Sequence, residues 1–210
     1  MPLFTLPANT HLILASASPR RQAFLEMLGV PFTIDVSPAI EAKPLPSEGA
    51  EEYSMRAAKA KAYAVAEKRQ KEARESIILA ADTVVVLNTR ILGKPETPDN
   101  ALEMLSALSG RKHTVISSVY VLLPKREERS FGFTDATAVF FHPIAKELLK
   151  AYVATEEPLD KAGAYAIQGK GAFLVQRIEG SWSTVVGLPV DLLVKELMLR
   201  KLLFPAKTTP

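Results

Sequence analysis

The stretch Leu12-Ile-Leu-Ala-Ser-Ala-Ser-Pro-Arg-Arg21 joins a short apolar run to the start of a helix. The run from Leu12 to Ala15 predicts a buried strand, and the small residues after it allow the backbone to turn tightly. Ser18 is suited to the N-cap position, and Pro19 to the first helical position, where its missing N–H costs nothing. The stretch therefore predicts a strand, a tight turn and a helix.

Arg20 and Arg21 fall in the first turn of that helix. The helix dipole disfavours cations at this end, so a purely structural helix start would carry Asp or Glu here. Two arginines at a strand-to-helix turn indicate a bound anion that the guanidinium groups and the dipole hold together. Two solvated arginines on a surface turn are the alternative, and the local sequence leaves both interpretations open.

The composition of the 210-residue chain is that of an ordinary globular protein, with 48% hydrophobic and 23% charged residues. This length suits one domain or two closely joined lobes. The net charge of +3 favours anionic ligands. We expect no nucleic-acid partner, because the lysines and arginines are spread out and aromatic residues make up only 7%.

The absence of cysteine excludes disulfides and Cys-ligated zinc and favours an intracellular location. No apolar run approaches the ~20 residues that span a bilayer. The N-terminus also lacks the pattern of a secretory signal. We therefore expect a cytoplasmic protein with no membrane partner.

A carboxylate interrupts the most apolar stretch of the chain. The run from Ile77 to Leu87 is nearly continuous in apolar and β-branched residues, which predicts a central buried strand. An unpaired carboxylate buried there would be costly, so we expect Asp82 at the mouth of the strand, on a metal or against a cation. A turn-capping Asp is the structural alternative. We favour a functional role because the apolar sequence resumes directly after it.

Lysines supply the candidate partners for an anion. Lys59 and Lys61 lie in a helix predicted over Glu51–Ala73, and residues two apart on a helix do not share a face. We therefore expect at most one of them to reach a site. Lys94 stands between a glycine and a proline, surroundings that position a charge well. The histidines lack the spacing of metal ligands and are interpreted as structural.

A glycine-rich block, Asp160–Ala172, forms the second informative region. Its glycines allow the backbone to approach a ligand closely. The block does not contain the G-x-G-x-x-G pattern of dinucleotide-binding folds, so a site of that kind is not predicted.

Together these segments resemble the Maf family of nucleoside triphosphate pyrophosphatases, from the strand at Leu12 to the helix at Leu203. The shared motifs occur in the order of the family: S-A-S-P-R-R at Ser16–Arg21, R-x-x-x-x-K-A at Arg56–Ala62, A-D-T-V-V at Ala81–Val85, G-K-P at Gly93–Pro95, S-G-R-x-H at Ser109–His113, G-A-Y-x-I-Q-G at Gly163–Gly169 and V-V-G-L-P at Val185–Pro189. Each motif alone is weak, but the ordered set is specific.

The resemblance implies an α/β fold with an elongated mixed β-sheet, flanking helices and two lobes around a central cleft, as in inosine triphosphatases. Residues 1–204 would form a single domain of two lobes, followed by a C-terminal tail at 205–210. The implied reaction converts a nucleoside triphosphate to the monophosphate and pyrophosphate. The resemblance also suggests a homodimer and implies a divalent cation, Mg²⁺ or Mn²⁺, which accompanies the substrate.

The branch of the family that prefers dTTP and UTP carries Arg, Thr and Gln at three specificity positions. Arg20, Thr83 and Gln168 stand at these positions here, and the sister branch that prefers 7-methyl-GTP lacks this set. The resemblance therefore implies hydrolysis of dTTP and UTP, with modified pyrimidine nucleotides as further candidates.

The chemistry of this reaction, which needs charge neutralisation, a positioned water and a base, suggests roles for the charged residues. Asp82 would be the general base or would activate a metal-held water, with Glu41 as the second metal-binding carboxylate. The phosphate-binding set comprises Ser16, Arg20, Arg21, Lys61 and Lys94. The chain departs from the family where an acidic pair is usual, because Ile40-Glu41-Ala42 keeps one acid only. Trp182 and Thr184 also replace the usual Tyr and Asn.

Two other function classes remain open. A non-enzymatic, nucleotide-binding regulator of cell division would use the same anion site but would not need Asp82 near the α-phosphate. A pyrophosphatase of the inosine triphosphate type would share the fold and prefer purine nucleotides, and a preference for methylated nucleotides is a further variant. Metal-dependent release of pyrophosphate and the base preference separate these alternatives.

Overall fold

A computed structural model describes residues 2–38, 43–70 and 76–206 of the chain. The strands are β1 (Phe4–Thr5), β2 (His11–Leu14), β3 (Phe32–Ile34), β4 (Ser76–Leu87), β5 (Arg90–Leu92), β6 (Lys112–Leu122), β7 (Phe131–Phe141), β8 (Val175–Glu179) and β9 (Phe204–Pro205). The α-helices are α1 (Pro19–Leu28), α2 (Ala50–Arg69), α3 (Pro98–Leu108), α4 (Lys146–Val153), α5 (Trp182–Val186) and α6 (Val190–Leu199).

Among the described residues, seven strands form one mixed sheet in the order β3-β2-β4-β6-β7-β8, with β5 paired to β4. Strand β2 runs parallel to both of its neighbours, so that Ile13 lies opposite Thr33 on one side and Ile78 on the other. Strands β4 and β5 are antiparallel, as are β7 and β8. This mixed sheet with its helices confirms the predicted α/β class.

The opening stretch forms the predicted strand, turn and helix. Leu12 to Ala15 are buried, and the Ala15 N–H donates to the Leu79 carbonyl oxygen at 2.8 Å. Helix α1 begins at Pro19 after the N-cap Ser18 and ends at Gly29, whose φ of 68° is left-handed. A Cβ at Gly29 would lie 2.5 Å from the Pro2 Cα. Only glycine fits this helix end without strain.

The chain divides into two compact units, and β4, β6 and β7 each contribute residues to both. The first unit comprises Met1–Asp82, Ser118–Thr134 and Gly187–Pro210. In its core, Ala62 and Val65 of α2 pack against Ile13, Ile78 and Leu122 of the sheet. The small alanines of α2 explain how this helix lies close against β2 and β4.

The C-terminal end of α2 is fixed by an ion cluster. Asp35, only 5% exposed, accepts from the Lys68 Nζ and the Arg69 Nε, each at 2.5 Å. These bonds to two cations lower the pKa of the Asp35 carboxyl. Helix α2 ends at Arg69. The predicted helix end at Ala73 lies outside the described residues, in the gap at 71–75.

The second unit comprises Thr83–Ser117 and Asp135–Val186. Its core includes an aromatic cluster in which His113, Phe141 and Tyr165 contact one another edge to face, with ring centroids 4.7 to 5.4 Å apart. The His113 Nε2 lies 2.8 Å from the Tyr165 hydroxyl. Burial lowers the pKa of His113 to about 4. His113 therefore belongs to the core, as predicted for a structural histidine.

This buried histidine predicts a pH-dependent stability. Below its ordinary pKa of 6.5 the unfolded chain gains a proton at His113, which the folded chain takes up only near pH 4. The free energy of unfolding should therefore fall by about 2 kcal/mol between pH 7 and pH 5. Urea unfolding at both pH values measures this loss. His113→Phe, which keeps an aromatic ring in the cluster, should remove most of the slope, and an equal slope in both proteins would refute the assignment.

The terminal segments pair with each other, because β1 and β9 form a separate two-stranded sheet. The Ala206 N–H donates to the Leu3 carbonyl oxygen at 3.0 Å. Pro205 and Ala206 of the predicted tail therefore bond to the N-terminal segment. The single domain over 1–204 and the two lobes around a cleft stay predictions. Among the described residues, no helix has the length and apolar character needed to cross a membrane.

Candidate active site

The turn before α1 is built around the hydroxyl of Ser16, which is buried. This oxygen accepts from the Ser18 N–H at 3.2 Å and from the Arg21 Nη1 at 3.1 Å. The Arg21 Nε also donates to the Gly187 carbonyl oxygen at 2.9 Å. Arg21 therefore holds the turn to the segment that precedes α6, and its positive charge stays at the helix start.

Arg20 differs from its neighbour. It is partly exposed, and its guanidinium group has no hydrogen bond or ion pair within residues 2–38, 43–70 and 76–206. The helix dipole does not favour a cation at this position. The N-terminus of α1 thus carries one arginine bonded to the fold and one that no described contact explains.

Of the three environments expected for Asp82, the structure shows the contact with a cation. Asp82 lies within β4 and is 9% exposed, and its Oδ1 accepts from the Lys61 Nζ of α2 at 2.6 Å. The ammonium group offsets the desolvation of the carboxylate. The strand does not end here, so the interpretation of Asp82 as a turn cap is wrong.

The expectation that Lys59 and Lys61 diverge is also confirmed. The Lys59 Nζ lies 5.7 Å from the ring centroids of both Tyr63 and Tyr120. Lys59 therefore makes cation–π contacts with these two rings and does not pair with the Asp82 carboxylate. Of the two lysines, Lys61 alone contacts Asp82.

Arg56, the first residue of the R-x-x-x-x-K-A motif, has a structural role. Its Nε and Nη2 bond to the two Glu48 carboxylate oxygens at 2.6 and 2.7 Å. The Arg56 guanidinium and the Leu45 N–H lower the pKa of Glu48 to about 2. Arg56 therefore attaches the segment before α2 to the helix.

Thr83 follows Asp82 in β4 and begins the second unit. Its Oγ1 lies 2.9 Å from the Oγ of Ser117, whose hydroxyl donates to the Thr184 carbonyl oxygen at 2.8 Å. The Thr184 hydroxyl in turn donates to the Asp135 Oδ2. Thr83 is partly exposed, whereas Ser117 and Thr184 are fully buried. The predicted specificity residue thus bonds to a chain of hydrogen-bonded residues that runs through Ser117, Thr184 and Asp135.

The G-K-P motif is anchored on both sides of Lys94, which is exposed. Before it, the Gly93 carbonyl oxygen accepts from the Gly163 N–H at 3.0 Å, and after it, Pro95 is buried. Gly163 has a φ of 68°, and a Cβ there would lie 2.8 Å from a Val85 methyl group. A glycine is therefore required where the two motifs meet.

The glycine-rich block has an internal partner that the sequence analysis missed. The Glu157 carboxylate accepts from the N–H groups of Lys170 and Gly171, each at 3.0 Å, and from the Tyr152 hydroxyl at 3.0 Å. Desolvation alone would raise the pKa of Glu157, but these hydrogen bonds lower it. Two backbone N–H groups of the glycine-rich block thus bind a carboxylate of the chain itself.

Gln168 directly precedes this segment. It is exposed, and its side chain has no hydrogen-bond partner in the described part of the chain. The Glu157 bonds hold the backbone of Lys170 and Gly171, two and three residues after Gln168.

Replacing Glu157 with glutamine should disturb this loop. An amide NH₂ would face at least one backbone N–H, and the loss should be on the order of 1–3 kcal/mol of unfolding free energy. Urea denaturation measures it. Glu156→Gln, at the exposed neighbouring position, is the control and should unfold at the wild-type urea concentration. Equal unfolding midpoints for the two variants would contradict the role of Glu157.

No cluster of three or more His, Cys, Asp or Glu side chains lies close enough to hold a metal within the described ranges. The second predicted metal ligand, Glu41, lies outside those ranges, in the gap at 39–42. Asp82 is the predicted metal ligand that the structure describes. Its carboxylate oxygens are of the type that Mg²⁺ and Mn²⁺ prefer.

Two residues of the site emerge only from the structure. In the sequence, Ser117 is a hydroxyl residue within an apolar strand. A hydroxyl buried at such a position indicates a hydrogen-bond partner inside the protein. Glu157 precedes a proline, and this pair predicts only the end of a helical segment. The carbonyl that Ser117 bonds lies 67 residues away, and the N–H groups that Glu157 binds lie 13 and 14 residues away, beyond any local pattern.

The fold and these side chains define an α/β protein with a paired carboxylate inside a central strand. The Maf-like protein family matches residues 11–200. The chain is 46% identical over 199 residues to the dTTP/UTP pyrophosphatase of Oleidesulfovibrio alaskensis, covering 95% of this chain and 89% of that protein. It is 50% identical over 188 residues to the dTTP/UTP pyrophosphatase of Nitratidesulfovibrio vulgaris, and the match covers 90% of this chain and 87% of that protein. The chain therefore belongs to the Maf family, and the predicted resemblance is confirmed.

A solved structure supports the fold independently. The HAM1 protein from Coxiella burnetii superposes with a TM-score of 0.51 at 16% identity, covering 90% of this chain and 99% of that chain. At this identity the likeness concerns the fold alone.

Proposed function

We propose that this chain is a nucleoside triphosphate pyrophosphatase that hydrolyses dTTP and UTP to the monophosphate and pyrophosphate. The observation that carries the proposal is the Lys61–Asp82 pair at 2.6 Å in a central strand. Relatives that are 46% and 50% identical over most of the chain bear the name dTTP/UTP pyrophosphatase. The motif residues of that branch, Arg20, Thr83 and Gln168, are all present.

The proposed phosphate-binding residues are mostly cationic. The Ser16 oxygen already accepts two hydrogen bonds, so its own hydrogen is the part of the hydroxyl that remains to be donated to a phosphate oxygen. Arg20 and Arg21 add charge at the N-terminus of α1, where backbone N–H groups also favour anions. Lys61 adds a point charge beside Asp82.

The remaining residues with a proposed role are Lys94, Thr83 and Gln168. Lys94 is the exposed cation of an anchored turn and is proposed to bind the polyphosphate. Thr83 and Gln168 are proposed to hydrogen-bond the base. The Gln168 amide both donates and accepts, so it can bond to the edge of a pyrimidine.

The proposed reaction forms a bond between a water oxygen and the α-phosphorus and breaks the bond from that phosphorus to the bridging oxygen. Asp82 accepts the proton of the attacking water, and pyrophosphate leaves with its charge neutralised by the lysines and arginines. Positioning and electrostatic stabilisation account for most of the acceleration in such phosphate chemistry.

The residues present fit a divalent cation. A carboxylate has two oxygens with about four lone-pair sites, so Asp82 can bond to Lys61 and still ligate an ion. Mg²⁺ is usually held by one or two carboxylates together with substrate phosphates. A Mg²⁺ or Mn²⁺ ion on Asp82, with Glu41 as a second ligand, would neutralise phosphate charge. We further propose a cytoplasmic location, where this substrate is supplied, and a homodimer.

A nucleotide panel tests the proposal. The purified protein is incubated with Mg²⁺ and canonical and modified nucleoside triphosphates, and pyrophosphate release is measured with and without EDTA. We expect metal-dependent release that is fastest with dTTP and UTP. Release from purine or methylated nucleotides only would reject the base preference. Binding without release from any nucleotide would favour the non-enzymatic regulator.

A further inference from the structure

Strand β8 is an edge strand of the seven-stranded sheet. In the part of the chain that the structure describes, β7 is the only strand paired with β8, and no backbone hydrogen bond reaches Val175–Glu179 from elsewhere. An edge strand directs the N–H and C=O groups of every second residue outward, where another strand can pair with them. The side chains leave this edge accessible, because Gln176, Arg177 and Glu179 are exposed.

The charges on β8 are complementary to themselves. Charged side chains usually prevent an edge strand from pairing with other strands. Here the two charges have opposite signs and stand two residues apart, so Arg177 and Glu179 lie on the same side of the strand. The two side chains bond to each other, and the Arg177 Cζ lies 3.5 Å from the centroid of the Phe140 ring. A second copy of β8, turned by 180°, offers the opposite charge at each of the two positions.

This charge pattern favours one register of antiparallel pairing between two β8 strands. When the pairing is centred on Ile178, Arg177 of each copy lies opposite Glu179 of the other copy. Ile178, which is half-buried at the margin of the core of the second unit, then lies opposite its own counterpart. Pairing centred on Arg177 or on Glu179 would instead place like charges opposite each other, which is destabilising.

Exposed aromatic side chains lie at both ends of β8. Phe173 precedes the strand and is 40% exposed, and Trp182 follows it and is 43% exposed. Antiparallel pairing brings the beginning of one strand beside the end of the other, so Phe173 of one copy comes close to Trp182 of the other. Both aromatic side chains would lose exposed surface in the pair, as is typical of residues in protein interfaces.

We propose that two copies of this chain form a homodimer through β8, by antiparallel pairing of their edge strands around Ile178. The proposal rests on the homodimer proposed above and assigns a surface to it. The ladder between β8 and β7 shifts register between Phe140 and Phe141, so regular pairing at the outer edge is confined to the segment from Arg177 onward. Because this segment is short, we expect a dimer that dissociates on dilution.

Dilution of the wild-type protein tests whether this dimer forms. Sedimentation velocity gives the oligomeric state, and Trp182, the only tryptophan of the chain, reports on the interface through its fluorescence emission. We expect a dimer at about 100 µM that dissociates toward about 1 µM, the behaviour of a small interface, with emission moving to longer wavelength. A chain that stays monomeric at the highest concentration would overturn this interface together with the proposed homodimer.

Charge reversal tests the register. The variants Arg177→Glu and Glu179→Arg each place like charges opposite each other at two positions, so the dissociation constant of either dimer should rise at least about tenfold. An equimolar mixture of the two variants restores opposite charges at both positions and should form a heterodimer with a dissociation constant close to the wild-type value. Misfolded variants would not recover on mixing. A mixture that stays monomeric would overturn the pairing.

Lys112→Glu is the matched control. The Lys112 Nζ lies 5.6 Å from the centroid of the same Phe140 ring, but Lys112 belongs to β6, which β7 separates from β8. The control therefore makes the same change of charge away from the edge, and its dimer should keep the wild-type dissociation constant. Equal weakening by Lys112→Glu and Arg177→Glu would overturn the role of β8.

The failure of this interface can be distinguished from the failure of the proposed function. A dimer that keeps its wild-type dissociation constant in Arg177→Glu would overturn the surface and leave the proposed homodimer in place. Pyrophosphate release from UTP, measured on the same wild-type samples, tests the proposed reaction separately.

Discussion

Replacing Asp82 with asparagine is expected to lower kcat for UTP at least ~100-fold, the usual scale for losing a general base. Asparagine has nearly the same shape as aspartate, and its amide oxygen can still accept from Lys61. The fold should therefore survive, which circular dichroism and thermal melting check. Steady-state rates of pyrophosphate release measure the effect on turnover.

Asp35→Asn is the matched control for this variant. It makes the same carboxylate-to-amide change in the first unit, at a buried residue that bonds to Lys68 and Arg69. Since the lowered pKa of Asp35 stabilises the fold above the ordinary value of 3.8, this variant should lose stability at neutral pH and keep its turnover. Near-normal turnover in folded Asp82→Asn would remove Asp82 from the mechanism.

The second large effect is expected for Arg20→Ala, which should lower kcat/KM for UTP about 10- to 100-fold. The loss of one or two charge-assisted hydrogen bonds to phosphate lowers kcat/KM by about this factor. The melting temperature should not change, because no described residue bonds to the Arg20 side chain. Steady-state kinetics and thermal melting of the same samples compare kcat/KM and the melting temperature of the variant with those of the wild type.

Arg21→Ala provides the contrast within the same helical turn. This variant breaks bonds to the Gly187 carbonyl oxygen and to the Ser16 hydroxyl, so both stability and activity should fall. An Arg20→Ala protein with wild-type kcat/KM would show that the arginine is a solvated surface residue, the alternative that the local sequence left open.

Much of the fold followed from local preferences that agree with one another. From Leu12 to Gly29, the apolar run, the N-cap serine, the proline after it and the terminal glycine each favour the same structure. The pairing of Asp82 followed from the cost of burying a lone carboxylate. The divergence of Lys59 and Lys61 followed from the helical repeat alone.

The remainder depends on contacts between distant parts of the chain. The glycines near Gln168 were expected to let the backbone approach a ligand, but Glu157 binds the N–H groups of Lys170 and Gly171. The Ser117 hydroxyl donates to the carbonyl group of Thr184, which is 67 residues away in sequence. No local pattern encodes a hydrogen-bond direction, because it depends on which acceptor the fold brings within reach.

The identity of the products formed from UTP tests the central claim most directly. The protein is incubated with UTP and Mg²⁺, and the nucleotide and phosphate products are separated by ion-exchange chromatography and quantified. We predict UMP and pyrophosphate in equal amounts, as attack at the α-phosphorus requires. Formation of UDP and inorganic phosphate, or the absence of any product from protein that binds UTP, would contradict the account.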